Sequence, residues 1–436
     1  MSNDSSIDFE DKANDAYARY APLAKRYYYT FDRPAVSKGG LPTALFIGNH
    51  SSGKSSLVNW IVGGESVQDT GVAPTDDGFT ILQYGERDED VAGPAALSRL
   101  APEFRCLESF GPSFTNRLRL KVRARESLRD KILIDSPGMI DSAEGTVARD
   151  YDFSGVVRCF AKFCDLVFFL LDPEKPGTTG ETVTVFSKCL TGMEYKLWVV
   201  LNKCDVLSSV NDFARVYGTT CWNLARILRT KDLPKIWTVY SGPEKESPSP
   251  GMSFLDFNRH RNELLAALRD MSARRADNVF ASVRADFERL SLRMRLVNSV
   301  MARVRKVTAT CCCYAVLASV AVGLSLGWAL STRLSSPWAY GALGFAGGAL
   351  SLALLHLLCR MVRRSVRLHA ADRLDRLYEE LYRNRVTIGR HDDLAQRWEE
   401  IRVETAETIR KAPLCLPWFA ERRRKELDRV IEAFRS

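Results

Sequence analysis

Ala44-Leu45-Phe46-Ile47-Gly48-Asn49-His50-Ser51-Ser52-Gly53-Lys54-Ser55 runs from a short apolar, β-like stretch into the pattern GxxxxGKS. Ser56-Leu57-Val58-Asn59-Trp60-Ile61 continues it with a helical pattern. Strand, glycine-rich loop and helix in that order are the context that a phosphate-binding loop requires. The glycines let successive backbone N–H groups turn inward around phosphate oxygens, and the helix N-terminus adds positive potential. Gly48, Asn49, His50, Ser51, Ser52, Gly53, Lys54, Ser55 and Ser56 are therefore the candidate phosphate-binding residues. In such a loop the lysine, here Lys54, reaches the β- and γ-phosphates, and the hydroxyl of Ser55 is placed to ligate Mg2+.

Three further segments follow in the chain order of a GTPase-type domain. Thr75, within Val72-Ala73-Pro74-Thr75-Asp76, comes after the loop, where a threonine hydroxyl and N–H can sense Mg2+ and the γ-phosphate and order a switch segment. The strand Lys131-Ile132-Leu133-Ile134 ends in Asp135-Ser136-Pro137-Gly138, a DxPG. Asp135 would hold Mg2+ through water, and the Gly138 N–H would face the γ-phosphate. A third strand, Lys196 to Leu201, ends in Asn202-Lys203-Cys204-Asp205. In NKxD the carboxylate accepts hydrogen bonds from N1 and N2 of guanine, which adenine cannot supply; Asn202, Lys203 and Asp205 are the base-binding candidates. Leu166 to Leu171 and Lys235 to Tyr240 read as further parallel strands, with Ser241-Gly242 as a base-capping loop. The expected fold is an α/β P-loop GTPase-type domain, a doubly wound and mostly parallel sheet with ligand at the C-terminal strand ends.

The 436 residues exceed one ordinary core, and 46% hydrophobic with 26% charged residues is a globular mix. The first 15 residues carry Asp4, Asp8, Glu10, Asp11 and Asp15 against Lys12 and no apolar run, which argues against a cleaved secretory signal or an Arg-rich transit peptide. The eleven cysteines show neither metal spacing nor a disulfide framework, so the soluble part reads as cytosolic and reducing.

Two stretches break the soluble pattern. Cys311 to Leu330 has no charge, and the only ionisable side chain from Trp338 to Cys359 besides cysteine and tyrosine is His356. At 1.5 Å per residue each makes a helix of about 30 Å, the thickness of a bilayer's hydrocarbon core. Ser331 to Ser336 joins them, so they form an antiparallel hairpin. Arg303, Arg305 and Lys306 precede the pair and Arg360, Arg363, Arg364 and Arg367 follow it, while the turn has Arg333 alone. By the positive-inside rule both termini and the nucleotide domain face the cytosol, on an organelle the chain does not name. Gly323-x-x-x-Gly327 and Gly344-x-x-x-Gly348 give each helix a small face for close packing. Cys311-Cys312-Cys313, at the cytosolic end, are candidates for S-palmitoylation or simply small apolar residues.

The remainder is helical. Leu264, Leu265, Leu268, Val279, Phe280, Val283, Phe287 and Leu290 fall at helical spacings, as do Leu368, Leu374, Leu377 and Leu381, before a break at Gly389. Pro413-Leu414-Cys415-Leu416-Pro417-Trp418-Phe419, followed by Arg422-Arg423-Arg424-Lys425, reads as a Pro-bounded turn or as an aromatic tip dipping into an anionic surface.

Beyond these motifs, Thr70-Gly71-Val72-Ala73-Pro74-Thr75-Asp76-Asp77-Gly78-Phe79, Phe110-Gly111-Pro112-Ser113-Phe114-Thr115-Asn116-Arg117, Asp150-Tyr151-Asp152-Phe153 and Arg215-Val216-Tyr217-Gly218 resemble the EHD branch of the dynamin superfamily. The resemblance runs from about Tyr20 to Gly242. It implies a nucleotide-dependent homodimer or larger oligomer across the G-domain face, scaffold assembly on membranes and slow hydrolysis. It also implies a stalk built from helices on both sides of the G domain. The membrane hairpin is similar instead to that of mitofusin- and atlastin-type fusion GTPases. The expected division is 1–40 joining the stalk, 41–245 as G domain, 246–306 as stalk, 307–360 as hairpin and 361–436 as stalk and tail.

Three departures follow. Asp76 stands where EHD proteins have a second threonine. Asn49-His50 stand where dynamin-like proteins place a water-orienting glutamine; His50 either takes that catalytic place beside Lys54 and Thr75 or is a solvated or packed loop histidine. No calcium-binding EH loop is read in the sequence. NKCD favours GTP, the EHD branch uses ATP, and the balance leans to GTP with Mg2+. Two functions stand against each other: a membrane-anchored triphosphatase that tethers, remodels or fuses bilayers, and a nucleotide-gated scaffold with negligible hydrolysis. No nucleic-acid reader motif is visible.

Overall fold

In the computed structural model the described residues are 3–31, 40–63, 67–68, 78–139, 149–175, 181–190, 192–227, 234–243, 254–331, 337–386, 391–411 and 420–433. The segment around Thr75 and Asp76, the hairpin turn with Arg333, Gly389 and the Pro413–Phe419 segment lie outside them. The chain divides into two compact units, Met1–Tyr17 with Asp32–Val283, and Ala18–Phe31 with Arg284–Ser436.

The first unit is built on a sheet of eight strands among the described residues: β1 (Thr43–Gly48), β2 (Thr80–Tyr84), β3 (Glu89–Ala92), β4 (Arg119–Arg123), β5 (Ile132–Asp135), β6 (Leu166–Leu171), β7 (Leu197–Leu201) and β8 (Ile236–Thr238). They lie in the order β3-β4-β2-β5-β1-β6-β7-β8. β5, β1, β6, β7 and β8 are mutually parallel, whereas β2 runs antiparallel to β5 and β3 antiparallel to β4. The sheet is thus mixed. Its central strands are continuous apolar runs because both faces are covered. Leu45 and Ile47 of β1 with Val167, Phe169 and Leu171 of β6 pack into one core, and Ala44, Phe46, Leu166, Phe168 and Leu170 into the other. Trp198 stacks on Trp237 at 3.9 Å on the second face.

The α-helices among the described residues are α1 (Asn3–Arg26), α2 (Lys54–Val62), α3 (Pro94–Arg99), α4 (Pro112–Thr115), α5 (Phe153–Phe163), α6 (Glu181–Thr184), α7 (Val210–Ile227), α8 (Leu255–Arg269), α9 (Met271–Ser331), α10 (Pro337–Asp372), α11 (Leu374–Val386), α12 (His391–Lys411) and α13 (Ala420–Ala433). Asp152 caps α5 by accepting from the Gly155 N–H at 2.9 Å, an N-cap bond worth about 1 kcal/mol. Leu264, Ala267 and Leu268 of α8 and Met271 of α9 bury against the sheet. The boundary between the two units therefore falls inside α9, later in the chain than the expected start of a stalk at 246. Cys106 and Cys159, read as unpaired cysteines in the sequence, are brought into sulfur–sulfur contact, with their Cα atoms 7.1 Å apart, just beyond the usual span of a disulfide. Their separation of 53 residues carries no local signature, and only the folded face of the sheet brings them together.

In the second unit Tyr20 and Phe31 both pack on Phe287, at 5.3 and 5.5 Å between ring centroids. Arg293, on α9, is almost wholly buried. It donates to the Glu404 carboxylate of α12 at 2.9 Å, to the Tyr28 carbonyl at 2.8 Å, and to the Thr408 hydroxyl. Asp428 of α13 accepts from Ser291 at 2.6 Å and Arg295 at 2.9 Å. The segment ahead of the sheet thus joins α9, α12 and α13 in one helical body. The apolar parts of α9 and α10 are long enough to cross a membrane, with mean hydropathies of 2.0 and 1.9 over their most apolar windows. They expose Leu317, Leu324, Trp328, Trp338, Phe345 and Leu354. Their glycine faces meet: a Cβ on Gly344 would stand 3.0 Å from the Gly323 carbonyl and 3.1 Å from the Gly327 Cα.

Candidate nucleotide site

The C-terminal ends of β1, β5 and β7 deliver Gly48, Asp135 and Asn202 to one edge of the sheet. The turn from β1 into α2 is left-handed at Ser51 (φ 64°) and Gly53 (φ 82°). Gly53 has a second constraint, since a Cβ there would stand 2.4 Å from the Asn202 amide nitrogen. Lys54, the first residue of α2, folds back over the loop, and its Nζ donates to the Gly48 and Asn49 carbonyls at 3.0 Å each. Burial pulls its ammonium down to about 8, with the Asp135 charge opposing and the Arg149 charge assisting. Ser56 is exposed and Ser55 half-buried.

The Ser55 hydroxyl donates to Asp135 Oδ2 at 2.7 Å. Burial pushes the Asp135 carboxyl up, against Lys54 and the donated hydrogen bonds of Ser55 and Gln68. Two buried polar atoms here, Asp135 Oδ1 and the Ser52 hydroxyl, have no hydrogen-bond partner among the described residues. Buried polar atoms are normally satisfied, so these two, beside a buried lysine, fit a bound triphosphate with its divalent cation. Ser55 and Asp135 would hold Mg2+, an oxygen-ligand pair suited to that hard ion. Thr75, the third expected ligand, is outside the described residues.

Gly138 follows at a close approach to the loop: a Cβ there would be 2.7 Å from the His50 Cα. The His50 N–H donates to the Met139 carbonyl at 2.8 Å, and the Met139 N–H to the Gly48 carbonyl at 3.0 Å. His50 is half-buried, its backbone locked between the loop and the DxPG segment. Asn49 is buried, and its side-chain carbonyl accepts from the Thr182 hydroxyl of α6 at 2.6 Å.

At the base end, Asn202 has its amide committed to the phosphate loop, donating to the Ser52 carbonyl at 3.0 Å and the Gly53 carbonyl at 3.3 Å. Lys203, left-handed at φ 58°, pairs with Asp172 at 2.8 Å. Asp205 sits half-buried in the short turn after β7, and the Ser241 hydroxyl lies 3.4 Å from Asn202 Oδ1.

Four residues that motif reading passes over belong to this edge. Gln68 donates to Asp135 Oδ2 at 3.1 Å and is itself clasped by Asn59 of α2 through bonds of 2.7 and 2.9 Å. Arg261 of α8 lies 4.1 Å from the Tyr240 ring and 4.5 Å from that of Trp60, and donates to the Gly242 carbonyl at 2.6 Å, fixing the loop that carries Ser241. Thr182 and Arg149 complete the set. None has a signature of its own, although Arg149 directly precedes Asp150-Tyr151-Asp152-Phe153.

Residues 45–204 match the family model described as "Dynamin family". "EH domain-containing protein 2" of Rattus norvegicus is 33% identical over 226 residues, which are 51% of this chain and 41% of that protein. "EH domain-containing protein 2" of Arabidopsis thaliana is 29% identical over 266 residues, 59% of this chain and 48% of that protein. The chain thus spans about half the length, or less, of these curated relatives. A solved structure described as "An oligomerised bacterial dynamin pair provides a mechanism for the long-range sensing and tethering of membranes" aligns over 94% of this chain and 79% of its own. The identity is 13% and the TM-score 0.38, a likeness too loose to carry weight.

Proposed function

We propose that this chain, whose residues 45–204 form a dynamin-family domain close to the EHD branch, is a membrane-anchored nucleoside triphosphatase. It couples nucleotide-dependent self-association through the G domain to tethering, remodelling or fusion of bilayers, with GTP favoured over ATP. The observation that carries this reading is the meeting of Ser55 and Asp135 beneath the phosphate loop, with Asp135 Oδ1 and the Ser52 hydroxyl buried and unsatisfied. The reaction is phosphoryl transfer to water, in which positioning and charge neutralisation do most of the catalysis. Lys54 would leave its carbonyl partners for the β- and γ-phosphate oxygens. The Gly138 N–H would report the γ-phosphate, and Asp205 would read the base. Mg2+ held by Ser55 and Asp135 would supply neutralisation of charge on the phosphates.

The anchor is the pair of apolar helices, inserted as a hairpin with both termini on the cytosolic side. Its support is their exposed apolar faces and glycine-to-glycine contact. The helical body made from residues 18–31 and 284–436 serves as the stalk. The test is nucleotide turnover by the full chain in liposomes, with Lys54→Ala as control and GTP compared with ATP. Phosphate release no greater than that control removes the enzymatic part, and extraction by alkaline carbonate removes the anchor.

One observation favours the scaffold reading, in which the chain binds triphosphate and barely hydrolyses it. The Asn49 side chain, at the loop position dynamin-like proteins use to orient water, is engaged by Thr182. Tight binding with negligible turnover on crowded lipid would select that reading.

A further inference from the structure

Arg149, like Asp135 and Ser52, has buried polar atoms at the nucleotide edge that find no partner among the described residues. Its side chain is 5% exposed. Nη2 donates to the Gly138 carbonyl at 2.7 Å and to the Glu181 carboxylate at 3.3 Å. The guanidinium lies 4.1 Å from the centre of the Phe153 ring. Nε and Nη1 make no hydrogen bond among the described residues. That leaves three N–H bonds of a buried cation unmet, one on Nε and two on Nη1, and desolvating a charged donor without a partner is unfavourable. A fold does not sustain that cost without reason when the guanidinium could instead reach water.

The surroundings identify the missing partner as an anion. The carbonyl that Arg149 holds belongs to Gly138, whose backbone is pressed against His50 of the phosphate loop. The cation is near enough to Lys54 for its charge to be felt there. It is also held on a short rein, because the next residues are fixed: Asp150 pairs with Arg117 at 2.8 Å, Tyr151 packs on Phe114, and Asp152 caps α5. Nη1 carries two N–H groups at the end of a planar guanidinium held in place, while Nε–H lies on the opposite edge beside the engaged Nη2, so Nη1 is the group that can meet anionic oxygens, in a geometry an ammonium does not reproduce.

We propose that Arg149 is a second protein cation of the phosphate site, its Nη1–H groups donating to oxygens of the terminal phosphate of a nucleoside triphosphate. Glu181 sits beside it as the counter-charge of the empty state. The inference rests on the nucleotide reading above and goes further by naming a phosphate ligand outside the four motifs, supplied by the chain itself. The competing role is a brace, in which Arg149 and Glu181 only hold the Gly138 segment in place.

The two roles separate in nucleotide affinities measured by titration on the full chain in nanodiscs. The probes are non-hydrolysable GTP and ATP analogues and the corresponding diphosphates, with Arg149→Gln, Arg149→Lys and Glu181→Gln. A phosphate contact requires Arg149→Gln to lose tenfold or more in triphosphate affinity while diphosphate affinity stays within twofold. Arg149→Lys recovers only part of the loss. Glu181→Gln, by removing a negative charge beside the terminal phosphate, tightens triphosphate binding by a few-fold. A brace gives the reverse for Glu181→Gln, a weakening, and lowers diphosphate and triphosphate affinity together in Arg149→Gln. Either of those results overturns the inference and leaves the nucleotide reading standing. Absence of all nucleotide binding by the unmodified chain overturns both.

Discussion

Asp165 stands at the foot of β6, at the end of the sheet remote from the nucleotide edge. Its Oδ2 accepts from the Thr43 N–H at 2.9 Å, and its carbonyl accepts from the Asn278 side chain of α9 at 2.7 Å. Burial pushes its carboxyl up from 3.8 to about 6, only partly offset by the charges of Arg275 and Lys196 and by these hydrogen bonds. A carboxyl with a raised folded-state pKa contributes full stability below the unfolded value. That contribution is lost as pH rises from about 4 through about 6, because the unfolded chain ionises first. At 1.36 kcal/mol per unit, the folded first unit gives up about 3 kcal/mol by neutral pH. Asp165→Asn keeps an acceptor for the Thr43 N–H and removes the charge. The variant is expected to match the wild type near pH 4 and to exceed it by about 3 kcal/mol at pH 7.5, or about 5–10 °C in Tm for a unit of this size. Thermal melts in detergent, followed through the stacked Trp198–Trp237 pair of the first unit, measure the difference at each pH. A gap between variant and wild type that does not change with pH, or a variant less stable at pH 7.5, refutes the reasoning.

Gln68→Ala removes one of the two side-chain donors to Asp135 Oδ2 and leaves Ser55, itself a proposed metal ligand, as the other. Mg2+ affinity, read from the metal dependence of fluorescent-nucleotide binding, should fall about tenfold, as for other residues that orient a metal ligand. Arg293→Ala strips the Tyr28 carbonyl and the Thr408 hydroxyl of their donor but leaves Glu404 largely solvated. Its cost should be about 2–3 kcal/mol by denaturant unfolding, below that of a fully buried broken pair. Gly344→Val places branched carbons against the backbone of Gly323 and Gly327. Energy transfer between labels on the two apolar helices should drop, with no change in nucleotide affinity.

The parallel half of the fold was legible because β1, β5, β6 and β7 are uninterrupted apolar runs and three of them end in a motif. The other half was not. β2, β3 and β4 carry Gln83, Glu89, Asp90, Arg119 and Lys121, a mixture that only pairing in the folded sheet turns into strands. β8 is three residues long where six were expected. At the candidate site, the residues that a fixed spacing assigns to phosphate or cation were readable, whereas Gln68, Thr182 and Arg261 reach it through tertiary contact alone. Asn202 illustrates the limit of a motif: its spacing assigns it to the base, while its amide is spent on the carbonyls of Ser52 and Gly53.

Those two bonds have a practical corollary for anyone wishing to retune the purine choice proposed above. Position 202 staples the end of β7 to the glycine-rich loop, so on that reading a replacement there would disturb the hold on the nucleotide's charged tail along with discrimination of its ring. Redesign of selectivity would then proceed through Asp205 and the Ser241 loop, with Arg261 kept to hold that loop still.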